Sequence, residues 1–336
     1  MAINHRGRRR ATAGGVIAVA VLLAACGGNV GGGASGDEEF PGGDPVTIYV
    51  GQDPGGSTDL IARALAEGAS DDLGVPITVE NKPGANGALA AKELAGKAAD
   101  GHTLMVYNGS LAYITPLAVA EGEAPDMTNY EVVTGISQDD YVLVTAPSSG
   151  FKTVEDLAKA GRPIKFGTTG VGTGSQLSQE LLFAQAKIQA TDVPFDGGSP
   201  TLTAVLGGQV DVGSIQLGEA VEQIEAGKLT PIVTFAEKRV SYLPDTPTAV
   251  EAGYDAPVQQ SRAVFAPKGT PKDVISRLQK AFQAAFKSAA YKKFNEENQL
   301  TPNEVDGAKL LEQWTANLDK YRSIVQQNNI DLGGDT

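Results

Sequence analysis

From residue 46 onward the chain repeats one pattern: a short apolar run, a break carrying glycine, and a stretch of helical period. The runs fall at 46–50, 77–80, 103–107, 141–145, 164–166, 210–215, 231–235 and 262–266. They are too short for buried helices and suit strands, whereas the segments between them place apolar side chains three and four apart. Leu60, Ile61, Ala64 and Leu65 form one such face, and Leu177, Leu181, Ala184 and Ile188 another. Ser199-Pro200 reads as a helix cap with proline at the first helical position, and Gly207-Gly208 as its stop. Thr270-Pro271-Lys272-Asp273 opens a helix through Val274, Leu278, Ala281, Phe282 and Phe286. A last helix carries Leu310, Leu311, Trp314, Leu318, Tyr321 and Val325, with Trp314 expected in the core. Strands interleaved with helices in this way predict an α/β fold with mainly parallel sheets.

The N-terminus lies outside that pattern. Arg6, Arg8, Arg9 and Arg10 precede an apolar stretch at 16–25 that is too short to span a bilayer, so residues 1–25 read as a secretory signal. The paired arginines lack the rest of a twin-arginine export pattern. Leu23-Ala24-Ala25-Cys26 resembles a bacterial lipobox, and Cys26 is the single cysteine of the chain. Its expected role is lipid attachment, the alternative being ordinary cleavage nearby with an incidental cysteine. Residues 26–44 are rich in glycine and acid and read as a flexible tether. Loss of the signal leaves 23 basic against 40 acidic residues, a formal −17 compared with −13 for the whole chain. Without a basic face to neutralise phosphates, nucleic acid is not an expected partner.

Three junctions between strand and helix carry the candidate chemistry. Asp53-Pro54-Gly55-Gly56-Ser57-Thr58-Asp59 follows the first run; it breaks at proline, passes two glycines and opens a helix at a hydroxyl. Such a turn presents backbone N–H groups to an anion. The segment at 167–177, GTTGVGTGSQL, and the turn at 193–200, VPFDGGSP, repeat the pattern. Ligands in open α/β sheets sit beyond the carboxyl ends of strands, which is where these three loops fall. The segment lacks the lysine of a P-loop and the full dinucleotide fingerprint, so no nucleotide cofactor is expected.

Catalytic groups are scarce. His5 leaves with the signal, and His102, after Asp100-Gly101, reads as a turn residue at the start of a strand. There is no G-x-S-x-G elbow. The acidic pairs Asp71-Asp72 and Asp139-Asp140 have no histidine or cysteine beside them and read as solvated faces rather than a metal site. No catalytic residue, metal or cofactor is expected. A binding protein fits this inventory better than an enzyme.

An ordered set of motifs then carries a resemblance. It comprises residues 54–59, Val79-Glu80-Asn81-Lys82-Pro83-Gly84-Ala85-Asn86-Gly87, Asp100-Gly101-His102-Thr103-Leu104, Val193-Pro194-Phe195-Asp196-Gly197-Gly198, Leu206-Gly207-Gly208-Gln209-Val210-Asp211 and Leu243-Pro244-Asp245-Thr246-Pro247-Thr248. Over residues 45–330 the chain resembles the Bug-type substrate receptors of tripartite tricarboxylate transporters. Phe195-Asp196-Gly197-Gly198 puts it nearer the tricarboxylate-receptor branch. The resemblance implies a two-lobed clamshell of periplasmic-binding-protein type. Residues 45–143 plus 262–336 would form one lobe and 144–261 the other, with a cleft between them. It also implies capture of a small organic acid and its transfer to a membrane permease. An adaptor for a signalling receptor is the alternative, and a lipid-anchored hydrolase with a carboxylate-held metal a further one.

The ligand contacts implied are Pro54, Gly55, Gly56 and Ser57 in the first loop, Gly170, Gly172, Thr173, Ser175 and Gln176 in the second, and Asp196 and Gly197 in the third. Ser110 and Gln216 follow strand ends and join the list. Asp59 reads either as compensation of a helix dipole or as a contact to a ligand ammonium or hydroxyl. Arg262, at the inferred return between lobes, either meets a second carboxylate or forms a rim salt bridge.

Overall fold

The first strand and helix set the frame. β1 (Val46–Val50) is buried along almost its whole length, and α1 (Ser57–Leu73) returns over it with Ile61, Ala62, Leu65, Ala66, Ala69 and Leu73 facing inward. Gly74 ends the helix in the left-handed region, where its N–H reaches the Ser70 carbonyl. The computed structural model describes residues 39–333. The chain continues through β2 (Ile77–Asn81), α2 (Ala88–Ala95), β3 (Thr103–Asn108), α3 (Ser110–Tyr113), β4 (Tyr130–Thr145) and α4 (Val154–Ala158). Next come β5 (Ile164–Thr168), α5 (Gly174–Ala186), β6 (Ala190–Pro194), α6 (Gly198–Leu206), β7 (Val212–Gln216), α7 (Leu217–Glu225) and β8 (Thr230–Thr234). β9 (Gln259–Pro267), α8 (Lys272–Lys287), α9 (Ala289–Glu297) and α10 (Gly307–Gln327) complete it.

Hydrogen bonding orders the strands β2-β1-β3-β9-β4-β7-β5-β6, with β8 paired to β4. The expected α/β fold is present, but the sheet is mixed rather than mainly parallel. β1 pairs in parallel with β2 and β3, and β5 with β6 and β7. The antiparallel part comes from β4 and β9, whose length the apolar runs understated. β4 has 16 residues, of which 141–145 is only the end. Its stretch from Tyr130 to Asp140 pairs with β9, and from Tyr141 it pairs with β7 and β8. Register shifts between Val132 and Thr134 and between Gly135 and Ser137 break the alternation that would mark this half as strand. These two strands join a lobe built on β1–β3 to one built on β5–β8, and the result is the two-lobed periplasmic-binding-protein architecture.

Three apolar clusters fill the layers. One lies between α1, α8 and the β1–β3 side, including Ile48, Leu65, Val106, Leu278 and Phe282. A second gathers Val142, Val205, Ile215, Leu217 and Leu229. The third runs across both sides, from Tyr107 and Phe265 through Trp314 and Tyr321 to Phe166 and Phe183. Trp314 is 3% exposed and belongs to this core as expected.

Several local expectations are corrected. Leu60 is exposed, because the buried stripe of α1 runs through Ile61 and Ala62 instead. Ala184 is exposed, and Leu182 and Phe183 bury in its place. α6 begins at Gly198, two residues earlier than a cap at Ser199 with Pro200 at the first position would place it. Gly197, with a φ of +118°, makes the turn that caps it, so Pro200 is its third residue, where a missing N–H is still harmless. Asp139 is completely buried rather than on a solvated face. His102 does lie at a turn before β3, its ring edge-on to Phe40. The signal, Cys26 and most of the tether lie outside the described residues.

Candidate functional site

The carboxyl ends of the strands converge on one cavity. β1 delivers Gln52, Gly56, Ser57 and Thr58; β3 delivers Asn108 and Ser110; β5 delivers Thr169 and Thr173. The turn after β6 brings Gly197 and Gly198, β7 brings Gln216 and Glu219, and the crossing strands add Tyr141, Gln260 and Arg262. Asn86 closes the wall. The cavity measures about 30 Å³, room for roughly one water. The lobes meet around it: Asp53 N–H donates to the Asp196 carbonyl at 3.3 Å, and Asn86 Nδ2 to the Gly172 carbonyl at 3.5 Å. A ligand of several heavy atoms therefore requires the lobes to part and close again around it.

Charge in and behind the wall is concentrated on three side chains, Arg262 and Glu219 in the lining and Asp139 behind Arg262. Arg262 is 2% exposed, and its Nη1 donates to Asp139 Oδ2 at 2.5 Å. Its Nη2 donates to Ser57 Oγ at 2.5 Å and its Nε to Thr58 Oγ1 at 3.2 Å. The guanidinium thus lines the cavity, and its acid partner lies in the interior rather than at the rim. Asp139 also accepts from Ser137 Oγ at 2.6 Å and from Thr301 N–H at 2.9 Å. Burial pushes its carboxyl above the ordinary value, with Arg262, Ser137 and Thr301 pulling the other way.

The third charge is Glu219. Its Oε1 accepts the Ser57 N–H at 2.7 Å, so a carboxylate of the second lobe sits at the N-terminus of α1. Two N–H groups of the first loop, those of Gly55 and Ser57, are occupied by the protein's own acids rather than presented bare. Gly55 N–H goes to Asp59 Oδ2 at 3.0 Å. Asp59 further holds Arg63 and Asn81, so its acceptors are spent beside the helix terminus. Burial opposes its ionisation, but the bonds from Arg63, Gly55 and Asn81 prevail and hold it below the usual range. The positive φ of the loop is at Gly55, +87°, whereas Gly56 is extended.

Of the residues singled out from sequence, Gly56, Ser57, Ser110, Thr173, Gly197, Gln216 and Arg262 line the cavity. Pro54, Gly55, Asp59, Gly170, Gly172, Ser175, Gln176 and Asp196 do not. Pro54 and Gly55 are exposed on the loop. Ser175 is committed to the Ser214 carbonyl and the Thr169 N–H. Gln176 accepts the Gly172 N–H and donates to Asp192, which fixes the second loop from behind. Gly170 and Asp196 open on a separate surface pocket with Leu89, Val119 and Phe195. The wall residues not anticipated, chiefly Gln52, Asn86, Asn108, Tyr141, Glu219 and Gln260, are uncharged or lie inside helix and strand, where spacing carries no signal. Among the described residues no cluster of three or more His, Cys, Asp or Glu could hold a metal, and no helix is long and apolar enough to cross a membrane.

Residues 61–330 match the family described as "Tripartite tricarboxylate transporter family receptor". The chain belongs to that family. Protein BugT of Bordetella pertussis is 31% identical over 258 residues, covering 73% of this chain and 77% of BugT. Among solved structures, MatC from Rhodopseudomonas palustris with bound malate superposes with a TM-score of 0.79 at 28% identity, covering 84% of this chain and 98% of MatC. A second R. palustris protein, Rpa4515 with adipate, has a TM-score of 0.79 at 25% identity, covering 85% and 98%. Like the other members of the family, the receptor described here has the periplasmic-binding-protein fold.

Proposed function

We propose that this receptor captures a small organic acid, a di- or tricarboxylate, between its lobes and delivers it to the permease of a tripartite tricarboxylate transporter. The observation that carries the reading is the convergence of five strand ends on one cavity with hydroxyls, a helix N-terminus and Arg262. Two neighbours in structure hold dicarboxylates, malate and adipate. Residues 45–143 plus 262–336 make one lobe and 144–261 the other, in keeping with the change of β4 partners after Asp140 and the start of β9 at Gln259. Residues 54–57, 170–176 and 196–197 move with the lobes and frame the ligand on closure. Lipid on Cys26 tethers the exported protein to the membrane, which keeps it near the permease.

A thermal-shift screen of di- and tricarboxylates tests the ligand class. A true ligand at 100 times its dissociation constant should stabilise by about 2.7 kcal/mol. A screen in which no acid moves the melting temperature counts against the reading. Membrane partitioning of Cys26→Ser tests the anchor; a variant that still sediments with membranes rejects it.

A further inference from the structure

The charges around the cavity do not balance for a plain acid. Arg262 is already neutralised by the buried Asp139, and its Nη2 and Nε donate to the Ser57 and Thr58 hydroxyls. Glu219 is left as one uncompensated negative charge in the wall. Its Oε1 is held by a single backbone N–H, that of Ser57, while its Oε2 is shielded from solvent and has no hydrogen-bond partner among the described residues. Gln52, 7% exposed, turns Nε2 to the Asn86 carbonyl and leaves Oε1 equally unpartnered. Both residues line the same cavity. The opposite need occurs at Gln216, 3% exposed, whose Nε2 is a buried donor with no acceptor.

Gly198 shows how closely the seat of Glu219 is fitted, since a Cβ there would lie 1.7 Å from Oε2. A ligand carboxylate arriving at the α1 N-terminus must take the Ser57 N–H from Glu219. A second carboxylate alone would then leave the half-buried Glu219 charged and without any donor, beside a ligand of like sign. A ligand ammonium removes both difficulties at once.

We infer that Glu219 and Gln52 Oε1 form an acceptor pair that selects carboxylates bearing a protonated amino group. On closure the ligand carboxylate takes the Ser57 N–H and the Gln216 amide donor, and its ammonium takes Glu219 and Gln52 Oε1. No covalent step is involved; Glu219 exchanges one N–H donor for another. The inference rests on the carboxylate-receptor reading above.

The test is calorimetric titration with matched pairs: aspartate and succinate, glutamate and glutarate, 2-aminoadipate and adipate. For at least one pair, the amino acid should bind the wild-type protein at least tenfold more tightly than its amine-free partner. Glu219→Gln should bring that ratio close to one, and Gln52→Leu should erode it in the same direction should the first variant not fold. Succinate, glutarate and adipate each binding within tenfold of its amino counterpart, or more tightly, overturns the inference and leaves the receptor reading standing. A ratio untouched by Glu219→Gln overturns it too. Silence across all six acids overturns the inference, and the receptor reading then stands or falls on the wider screen of di- and tricarboxylates.

Discussion

Replacing Asp139 with asparagine keeps the shape of the side chain and removes the charge that neutralises Arg262. Both partners are buried, at 0% and 2% exposure, so water does not take over the lost interaction. Breaking a buried pair by removing one charge costs about 3–5 kcal/mol, because the other is left uncompensated. Asparagine retains an acceptor oxygen, but it must share it between Arg262 Nη1 and Thr301 N–H, which the aspartate satisfies with separate oxygens. Burial also raises the cost of ionising Asp139, and that cost disappears with the charge. The expected loss is therefore at the lower end, about 3 kcal/mol. At about 2–4 °C per kcal/mol this lowers the melting temperature by roughly 6–12 °C. Urea unfolding and a thermal melt measure it. A double variant, Asp139→Leu with Arg262→Met, should recover most of the loss, since apolar replacement of a whole buried pair is commonly neutral or stabilising. A single variant within about 1 kcal/mol of wild type would show that water reaches the pair and that the charge accounting of the cleft is wrong.

Glu180, on α5, is pushed up to about 7 by burial and by the neighbouring Asp192 and Asp331. Its folded value lies above its ordinary 4.5, so its contribution is fully present below that value and is lost as pH rises through about 7. Glu180→Gln should flatten this fall in melts compared between pH 5 and 8; equal slopes for variant and wild type refute the assignment. Trp314→Phe removes the Nε1 bond to Ser261 Oγ at 2.9 Å and reduces the stack on Phe265, so urea unfolding should show a loss of about 1–3 kcal/mol. A loss below about 0.5 kcal/mol would mean that neither contact matters.

How much of this was legible beforehand depended on the kind of signal. Apolar runs such as 46–50 and glycine-bearing junctions such as 53–59 gave the α/β layers and the position of the cleft, because local periodicity and turn chemistry act within a few residues. β4 was half missed, since its Tyr130–Asp140 portion is shaped by pairing with β9 across more than a hundred residues of chain. Arg262 stood out as a cation near a strand start, but its partner did not, as Asp139 looked like any other acid in a pair. Glu219 was invisible for a similar reason. An acid in the first turn of α7 reads as ordinary dipole compensation, and only the facing of two lobes sets its carboxylate against Ser57.

The continuity of β4 through both lobes, with β9 paired along its first half, bears on how such receptors can be recombined. Neither lobe owns a complete set of strands, so neither is a module that can be cut out at a loop. Grafting the second lobe of one family member onto another requires crossovers inside strands, at Asp140–Tyr141 and near Gln259. The ladder there is held by backbone hydrogen bonds, which are indifferent to side-chain identity, so a splice in mid-strand preserves more pairing than one in a neighbouring loop. The side chains flanking the joins are less forgiving. Tyr141 donates to Gln260 at 2.5 Å and Gln138 to Gln259 at 2.5 Å, so a chimera has to inherit these residues as matched pairs.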